Sequence, residues 1–197
     1  RLFASGGSSL AEALGTRLGW RVLDRELVVE VARRLRRPEA DVEAVDEHVM
    51  GPWERAAAYA SAAFPEMPVP PLVAYLDAAV VSTVEAVLRE AAGRERIIVV
   101  GHGAQCILRD RTDAVHVRLM APFDQRVETA AERLGLSPDD ARKRVRQADE
   151  ERRAYLRQIH GVDGADPELY DVVVNTSRLR VPEAADLIAR LVELRGT

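Results

Sequence analysis

The feature that most constrains the fold is the apolar run Ile97-Ile98-Val99-Val100, which leads directly into Gly101-His102-Gly103. A strand with one face in water alternates apolar and polar residues, whereas a strand covered on both faces is apolar throughout. The run therefore predicts a central strand of a parallel sheet. The Gly-His-Gly segment is then predicted to lie at the carboxyl edge of the sheet, where open α/β sheets bind ligands.

Further strands and helices are predicted along the rest of the chain. Short apolar segments predict strands at residues 20–23, 115–119 and 172–175. Apolar residues at helical spacing predict helices over residues 10–18, 27–35, 38–47, 123–134, 138–159 and 182–194. Strands that alternate with helices indicate βαβ units and a parallel sheet.

Residues 49–92 form a long alanine-rich region that is predicted to be helical. A proline cluster at residues 64–71 interrupts it and is expected to be a loop or a mobile hinge. We therefore expect one α/β domain over residues 1–197, with 49–92 as a helical insertion.

Composition and charge exclude several classes of protein. The net charge of −4 lacks the basic footprint of a nucleic-acid-binding domain. No apolar run approaches the roughly 20 residues that a membrane helix needs. The one cysteine, Cys106, excludes an internal disulfide framework and indicates a reducing compartment. Lys143 is the one lysine among the 28 basic residues, so chemistry that needs a lysine has to use it.

The first nine residues are small and glycine-rich and precede a helix, as in a phosphate-binding loop of pattern G-x-x-x-x-G-K-[ST]. Gly6 takes the second glycine position, Gly7 the lysine position and Ser8 the Ser/Thr position, while Arg1 stands at the first glycine. Ser8 is then a candidate metal contact, and Ser5 and Ser9 are candidate phosphate donors. The alternative is a plain glycine-rich turn. The missing Met leads us to expect the natural N-terminus, and a strand, upstream of Arg1.

Two further loops carry candidate ligand contacts. Asp24 and Arg25 follow a predicted strand, and they either bind a phosphorylated acceptor or form a helix cap with a solvated arginine. His102 either contacts a ligand or completes a capped turn. Cys106 is interpreted as a small buried residue rather than a nucleophile. We expect residues 4–9, 24–25 and 101–104 to converge at one edge of the sheet.

The helix predicted after Pro138 concentrates cations on one face. At 100° per residue, one face carries Arg142, Arg146, Asp149, Arg153 and Arg157. A charged face is usually solvated, but four cations around one acid also suit a lid that supplies arginines to transferring phosphates. Such a lid, over residues 138–165, is expected to be mobile.

Seven segments in chain order carry a resemblance. They are Phe3-Ala4-Ser5-Gly6-Gly7 with Leu10-Ala11, Leu23-Asp24-Arg25-Glu26-Leu27, Val100-Gly101-His102-Gly103-Ala104 with Ile107-Leu108-Arg109-Asp110, Met120-Ala121-Pro122-Phe123 with Arg126-Val127, Arg133-Leu134-Gly135-Leu136-Ser137, Asp149-Glu150-Glu151-Arg152 and Tyr170-Asp171-Val172-Val173-Val174-Asn175-Thr176-Ser177. Together they resemble the cytidylate kinase-like family of P-loop nucleoside monophosphate kinases. Residues 49–80 match no segment of that family.

The resemblance implies a three-layer P-loop kinase fold with a parallel sheet, a helical insertion and an arginine-rich lid. It implies Mg²⁺ and ATP as cofactors, a small-molecule nucleotide acceptor, most simply CMP or dCMP, and a cytoplasmic enzyme without nucleic-acid or membrane partners. A homodimer is left open. The implied site residues are Ser5, Gly6, Gly7, Ser8 and Ser9 for ATP, Ser8 for the metal, Asp24, Arg25, His102 and Asp149 for the acceptor, and Arg142, Arg146, Arg152 and Arg153 as catalytic arginines.

Three positions depart from the family pattern. Gly7 replaces the phosphate-loop lysine that other monophosphate kinases show and that this subfamily also often lacks. Ala4 replaces a loop glycine that matters if its φ is positive, and His102 stands where the family usually shows an arginine. Loss of one transition-state cation costs roughly 10³-fold or more in rate. The alternatives are therefore a catalytically weak nucleotide-binding or regulatory module, or a kinase for another small molecule.

Overall fold

The computed structural model describes residues 1–40, 42 and 72–196, with the backbone alone for 72–77. The helices are α1 Gly7–Leu18, α2 Arg25–Leu35, α3 Leu72–Arg94, α4 Ala104–Ile107, α5 Phe123–Leu134, α6 Pro138–His160 and α7 Val181–Arg195. The strands are β1 Arg21–Leu23, β2 Ile97–Val99, β3 Val117–Met120 and β4 Val172–Asn175. A short 3₁₀ helix, Pro167–Leu169, precedes β4.

The strands pair in parallel, as the sequence predicts, and the described residues form two such pairs. Strand β1 pairs with β2, with Leu23 opposite Val99, and β3 pairs with β4, with Met120 opposite Asn175. Between β2 and β3 lies a cavity of about 410 Å³, lined mostly by aliphatic side chains of these strands and of α1 and α7. No hydrogen-bonded ladder joins the two pairs within the described ranges.

Helices cover the strands on two faces. On one face, α1 and α7 pack against β3 and β4, with Leu119 and Val174 at the centre of the cluster. On the other face, α2, α3 and α4 form a second cluster around Leu27 and Leu88. Ile98 packs against the first cluster and its neighbour Val99 against the second, so β2 is covered on both faces, as its sequence predicts.

Helices α5 and α6 form a third, smaller cluster beside the sheet. Val127 and Ala130 of α5 pack against Ala141 and Val145 of α6. The Ser137 hydroxyl accepts a hydrogen bond from the Asp140 amide and caps α6, which ends at Gly161 with a left-handed φ of 69°. The cluster holds the arginine-rich helix next to the chain start, because Phe3 and Ala4 also pack against it.

The predicted elements agree closely with the structure. Helix α5 has its predicted bounds, and α2, α6 and α7 differ from theirs by at most two residues at either end. The break expected at residues 64–71 and most of the helix expected at 38–47 lie outside the described residues. Among the described helices, none has the length and hydropathy required to span a membrane.

Candidate functional site

The loop that precedes α1 contains two residues with positive φ. Ala4 has φ of 57° and Gly6 has φ of 77°, so the position at which the sequence lacks a glycine does adopt a left-handed conformation. Gly6 caps α1 without a side chain, which leaves the first-turn amides to a ligand or to water. The position of Ala4 therefore carries a strain that glycine would relieve.

Two hydroxyl groups hold the shape of this loop. Ser5 is buried, and its hydroxyl donates to the Leu2 carbonyl over 2.7 Å, so it braces the loop instead of pointing outward. Thr176, just after β4, donates its hydroxyl to the Ser5 carbonyl over 3.1 Å. Ser9 is exposed on the first turn of α1.

Ser8 and Asp24 meet between the phosphate loop and the end of β1. The Ser8 hydroxyl donates to Asp24 Oδ2 over 3.3 Å, and Arg1 Nη1 donates to the Ser8 Oγ over 3.3 Å. Asp24 occupies the N-cap position of α2, but its side chain makes no cap hydrogen bond. Arg25 begins α2, is largely exposed, and lies 4.0 Å from Glu39. The loops at residues 4–9 and 24–25 are therefore in direct contact.

Three consecutive left-handed residues follow β2. Gly101, His102 and Gly103 have φ of 91°, 57° and 68°. A non-glycine residue in this conformation is strained, and such strain clusters at ligand sites. Because Leu23 pairs with Val99, this turn leaves the sheet beside Asp24.

The carboxyl end of α6 packs against that turn. A Cβ atom at Gly103 would lie only 2.6 Å from His160 Nε2 and 3.4 Å from Tyr155 Cε1. The His160 and Tyr155 rings meet edge to face, with centroids 5.8 Å apart. Burial lowers the pKa of His160, and the nearby Glu85 only partly offsets this effect.

The middle of α6 is bound to the start of the phosphate loop. Asp149 Oδ1 accepts from the Phe3 amide over 2.9 Å, and Oδ2 accepts from Arg126 Nη1 over 2.7 Å. Arg126 is buried and also donates to the carbonyls of Phe3 and Ala121. Asp149 was expected to contact the acceptor, and the structure shows both of its oxygens engaged with protein groups.

Two phenylalanine rings hold most of the arginines of α6. The Phe3 ring faces the guanidinium groups of Arg144 and Arg152, at 5.2 and 5.5 Å from the centroid. The Phe123 ring faces those of Arg142 and Arg146, at 5.3 and 5.4 Å. Cation–π contacts of this kind contribute about 0.5–1 kcal/mol at exposed sites. Phe3 thereby holds Arg144 and Arg152 beside the glycine-rich loop, and Phe123 holds Arg142 and Arg146 at the start of α5.

The remaining candidates lie at the surface or are chemically quiet. Arg153 is exposed, and Arg157 pairs with Asp163 at 2.9 Å. Lys143 is exposed and pairs with Asp140. Burial raises the pKa of the Cys106 thiol, which keeps it protonated at neutral pH and agrees with its interpretation as a structural residue.

Sequence reasoning assigned no role to Arg126 or Thr176. Arg126 lies one residue before Val127 and four before Ala130 on the buried face of α5, and an arginine on an apolar stripe is a detectable signal. Thr176 follows a buried strand and carries no comparable signal, because its partners lie 56 and 171 residues away in the chain.

A family model and several known proteins match the sequence of this chain. A sequence model described as the cytidylate kinase-like family matches residues 1–178. The cytidylate kinase of Methanopyrus kandleri is 29% identical over 113 residues, which cover 53% of this chain and 58% of that protein. The cytidylate kinase of Ignicoccus hospitalis is 27% identical over 108 residues, 55% of this chain and 62% of that protein. This chain thus spans about three-fifths of the length of these relatives.

A solved structure supports the fold. An uncharacterized protein from Eubacterium ventriosum superposes with a TM-score of 0.71 at 19% sequence identity, covering 98% of this chain and 94% of that one. The mixed α/β architecture with parallel strands is therefore a P-loop kinase-like fold.

Proposed function

Because this chain belongs to the cytidylate kinase-like family, we propose that it transfers a phosphoryl group from ATP to a nucleoside monophosphate, with CMP or dCMP as the preferred acceptor. The observation that carries the proposal is the pair of bonds from Asp149 and Arg126 to Phe3, which hold the arginine-rich helix against the phosphate loop. We further propose a cytoplasmic enzyme whose partners are small nucleotides.

The donor side of the site consists of the loop and the amino end of α1. Backbone amides after Gly6 and the helix dipole favour the phosphates of ATP. The Ser8 hydroxyl is an oxygen ligand of the kind that Mg²⁺ prefers, and it lies 3.3 Å from the Asp24 carboxylate. It fits a role in holding the ion, which supplies charge neutralisation to the phosphates when bound.

To catalyse phosphoryl transfer, the protein has to position the two substrates and supply positive charge. A loose phosphoryl-transfer transition state spreads charge over the phosphoryl oxygens, so catalysis depends on cations that are already in place. We assign this role to Arg142, Arg146, Arg152 and Arg153. No covalent nucleophile is needed, in agreement with the protonated Cys106 thiol.

The acceptor side is assigned to the two loops that follow β1 and β2. Arg25 is exposed at the start of α2 and suits the acceptor phosphate, while Asp24 and His102 flank the space for its nucleoside. Asp149 is better assigned to holding the phosphate loop, because both of its oxygens are engaged by Phe3 and Arg126.

A second candidate is a nucleotide-binding module with little catalysis. It is favoured by one observation, the glycine at the position of the phosphate-loop lysine. A third candidate keeps the ATP site and phosphorylates a different small molecule, since folds of this kind serve several acceptors.

The experiment is a screen of nucleoside monophosphates and small alcohols with Mg²⁺ and ATP, in which ADP release is measured. Turnover of CMP or dCMP above all other acceptors supports the proposal. Tight ATP binding without turnover of any acceptor favours the module, and turnover of an unrelated alcohol favours the third candidate. The variant Asp24→Asn keeps the size of the side chain and removes its charge, and we expect it to reduce turnover roughly 10²-fold.

A further inference from the structure

The space above Gly7, at the position of the missing lysine, is filled by Arg1. A Cβ atom built at Gly7 would lie 2.5 Å from both Cδ and Nη1 of Arg1. Real Cβ atoms do not approach other heavy atoms this closely, so any side chain at residue 7 would displace Arg1. A side chain at position 7 therefore requires the Arg1 side chain to move from the place that it occupies in this structure.

We propose that Arg1 supplies the phosphate-binding cation that the glycine at position 7 omits. This inference rests on the proposed function and deepens it, because it names the group that would hold the β- and γ-phosphates of ATP. A phosphate-loop lysine reaches those phosphates from position 7. Arg1 reaches the same place from the opposite end of the loop.

The contacts of the Arg1 side chain fit this role. Its Nη1 donates to the Ser8 hydroxyl over 3.3 Å, and its Nη2 lies 3.9 Å from Asp24 Oδ1. The guanidinium is thus held at the amino end of α1, between the groups assigned to the metal and the acceptor. Its side chain is only 21% exposed, which fixes the guanidinium more firmly than a surface arginine.

An arginine is chemically suited to this task. Its planar fork of N–H donors matches phosphate oxygens in pairs, and it remains charged at every physiological pH. The one lysine of the sequence, Lys143, is 78% exposed and pairs with Asp140 on the first turn of α6. It is therefore engaged at the other end of the lid helix from Tyr155 and His160.

The test measures the affinity for Mg²⁺ and ATP, the affinity for AMP, and steady-state turnover. Four variants are compared: Arg1→Ala, Arg1→Lys, Gly7→Lys and the double variant Arg1→Ala with Gly7→Lys. Arg17→Ala is the control, because Arg17 belongs to the same helix as Gly7 but pairs with Asp186 on the surface. AMP is the control ligand, because it lacks the β- and γ-phosphates.

We expect Arg1→Ala to weaken ATP binding roughly tenfold and to lower kcat roughly 10²- to 10³-fold. Affinity for AMP should change less than twofold. Gly7→Lys should also lose activity, because it displaces Arg1, while the double variant should recover at least tenfold over Arg1→Ala by restoring a lysine to an open site. Arg1→Lys should recover only in part.

Thermal unfolding of every variant separates a folding defect from a binding defect. Gly7→Ala provides a second route, since alanine is favoured over glycine in a helix and its Cβ still displaces Arg1. It should weaken ATP binding without lowering the unfolding temperature.

Wild-type ATP affinity and turnover in Arg1→Ala would overturn the inference while leaving the proposed function intact. An equal loss of AMP and ATP affinity would also overturn it, by showing a general structural role. ATP binding that depends on Arg1, in a protein that phosphorylates no acceptor, would support the inference and overturn the proposed kinase activity. A wild-type protein that binds no ATP would overturn both.

Discussion

The Arg126 guanidinium donates to the Asp149 carboxylate over 2.7 Å, and both side chains are nearly buried, at 6% and 16% exposed. The pair joins α5 to α6, and each partner also bonds to the backbone of Phe3. One ion pair therefore connects both helices of the smallest cluster to the phosphate loop. Its removal should affect folding and nucleotide binding together.

Breaking this pair from one side should be costly. Asp149→Ala leaves a buried guanidinium without its carboxylate, and we expect the free energy of unfolding to fall by about 3–5 kcal/mol. Urea unfolding measures the change. The double variant Arg126→Met with Asp149→Leu should lose less stability than Asp149→Ala, because no charge is left unpaired.

The control for this comparison is Arg17→Ala, which breaks an exposed pair with Asp186 and should cost no more than about 1 kcal/mol. A loss in Asp149→Ala as small as that control would show that the buried pair contributes little.

Two arginines of α6, Arg146 and Arg153, should be required for catalysis. We expect Arg146→Ala and Arg153→Ala to lower kcat/KM by roughly 10²- to 10³-fold, mainly through kcat, because their charge is needed most when charge migrates to the transferring group. Arg153→Lys should rescue poorly, since an ammonium does not reproduce the guanidinium fork. Steady-state kinetics with the best acceptor measures all three. Wild-type rates would show a solvated face without a lid function.

The contact between Gly103 and His160 can be isolated with a matched glycine. Gly103 and Gly161 have nearly equal φ, 68° and 69°, but only Gly103 has a neighbour within reach of a Cβ atom. Both alanine variants introduce the same backbone strain. The free energy of unfolding should fall by about 1–3 kcal/mol more in Gly103→Ala, because His160 has to move. Thermal or urea unfolding gives the difference. Removing the ring with His160→Ala should abolish the excess, whereas equal losses at the two glycines would refute the contact.

Acid should destabilise the fold through His160. Burial lowers its pKa from the ordinary value of 6.5, so between the lowered pKa and 6.5 the unfolded chain binds a proton that the folded chain does not. The stability due to the neutral ring is therefore present above about pH 6.5 and is lost as the pH falls through the lowered pKa. Unfolding free energies from about pH 8 to 5 should show a drop that His160→Gln reduces. An unchanged pH profile in that variant would exclude the imidazole as the source.

Local pattern was enough to predict most elements of this fold. The unbroken apolar run at residues 97–100 identified a strand covered on both faces, and apolar residues at helical spacing identified α5. The pairing of β1 with β2 and of β3 with β4 was not predictable, because alternating strands and helices indicate parallel pairing without stating which strands are neighbours.

Much of the site depends on contacts between distant residues, which a local pattern does not reveal. The spacing on α6 placed Asp149 among the arginines, but its partners Phe3 and Arg126 lie 146 and 23 residues away. Asp24 had the position of a helix cap, and its side chain instead accepts from Ser8, 16 residues away. From the sequence, the replacement of a loop glycine by Ala4 mattered only if residue 4 had a positive φ, and in the structure its φ is positive.

The hydrogen bonds between Phe3 and Asp149 and between Ser5 and Thr176 span 146 and 171 residues. They therefore determine when the site is completed during folding. Chain segments are synthesised from the amino end, and the entropy of closing a loop must be overcome before a distant contact forms. The glycine-rich loop is therefore translated before α6 and β4, and it obtains these two supports only after those elements have docked. Nucleotide retention by a nascent or refolding chain would accordingly report the completion of the fold rather than the formation of the loop.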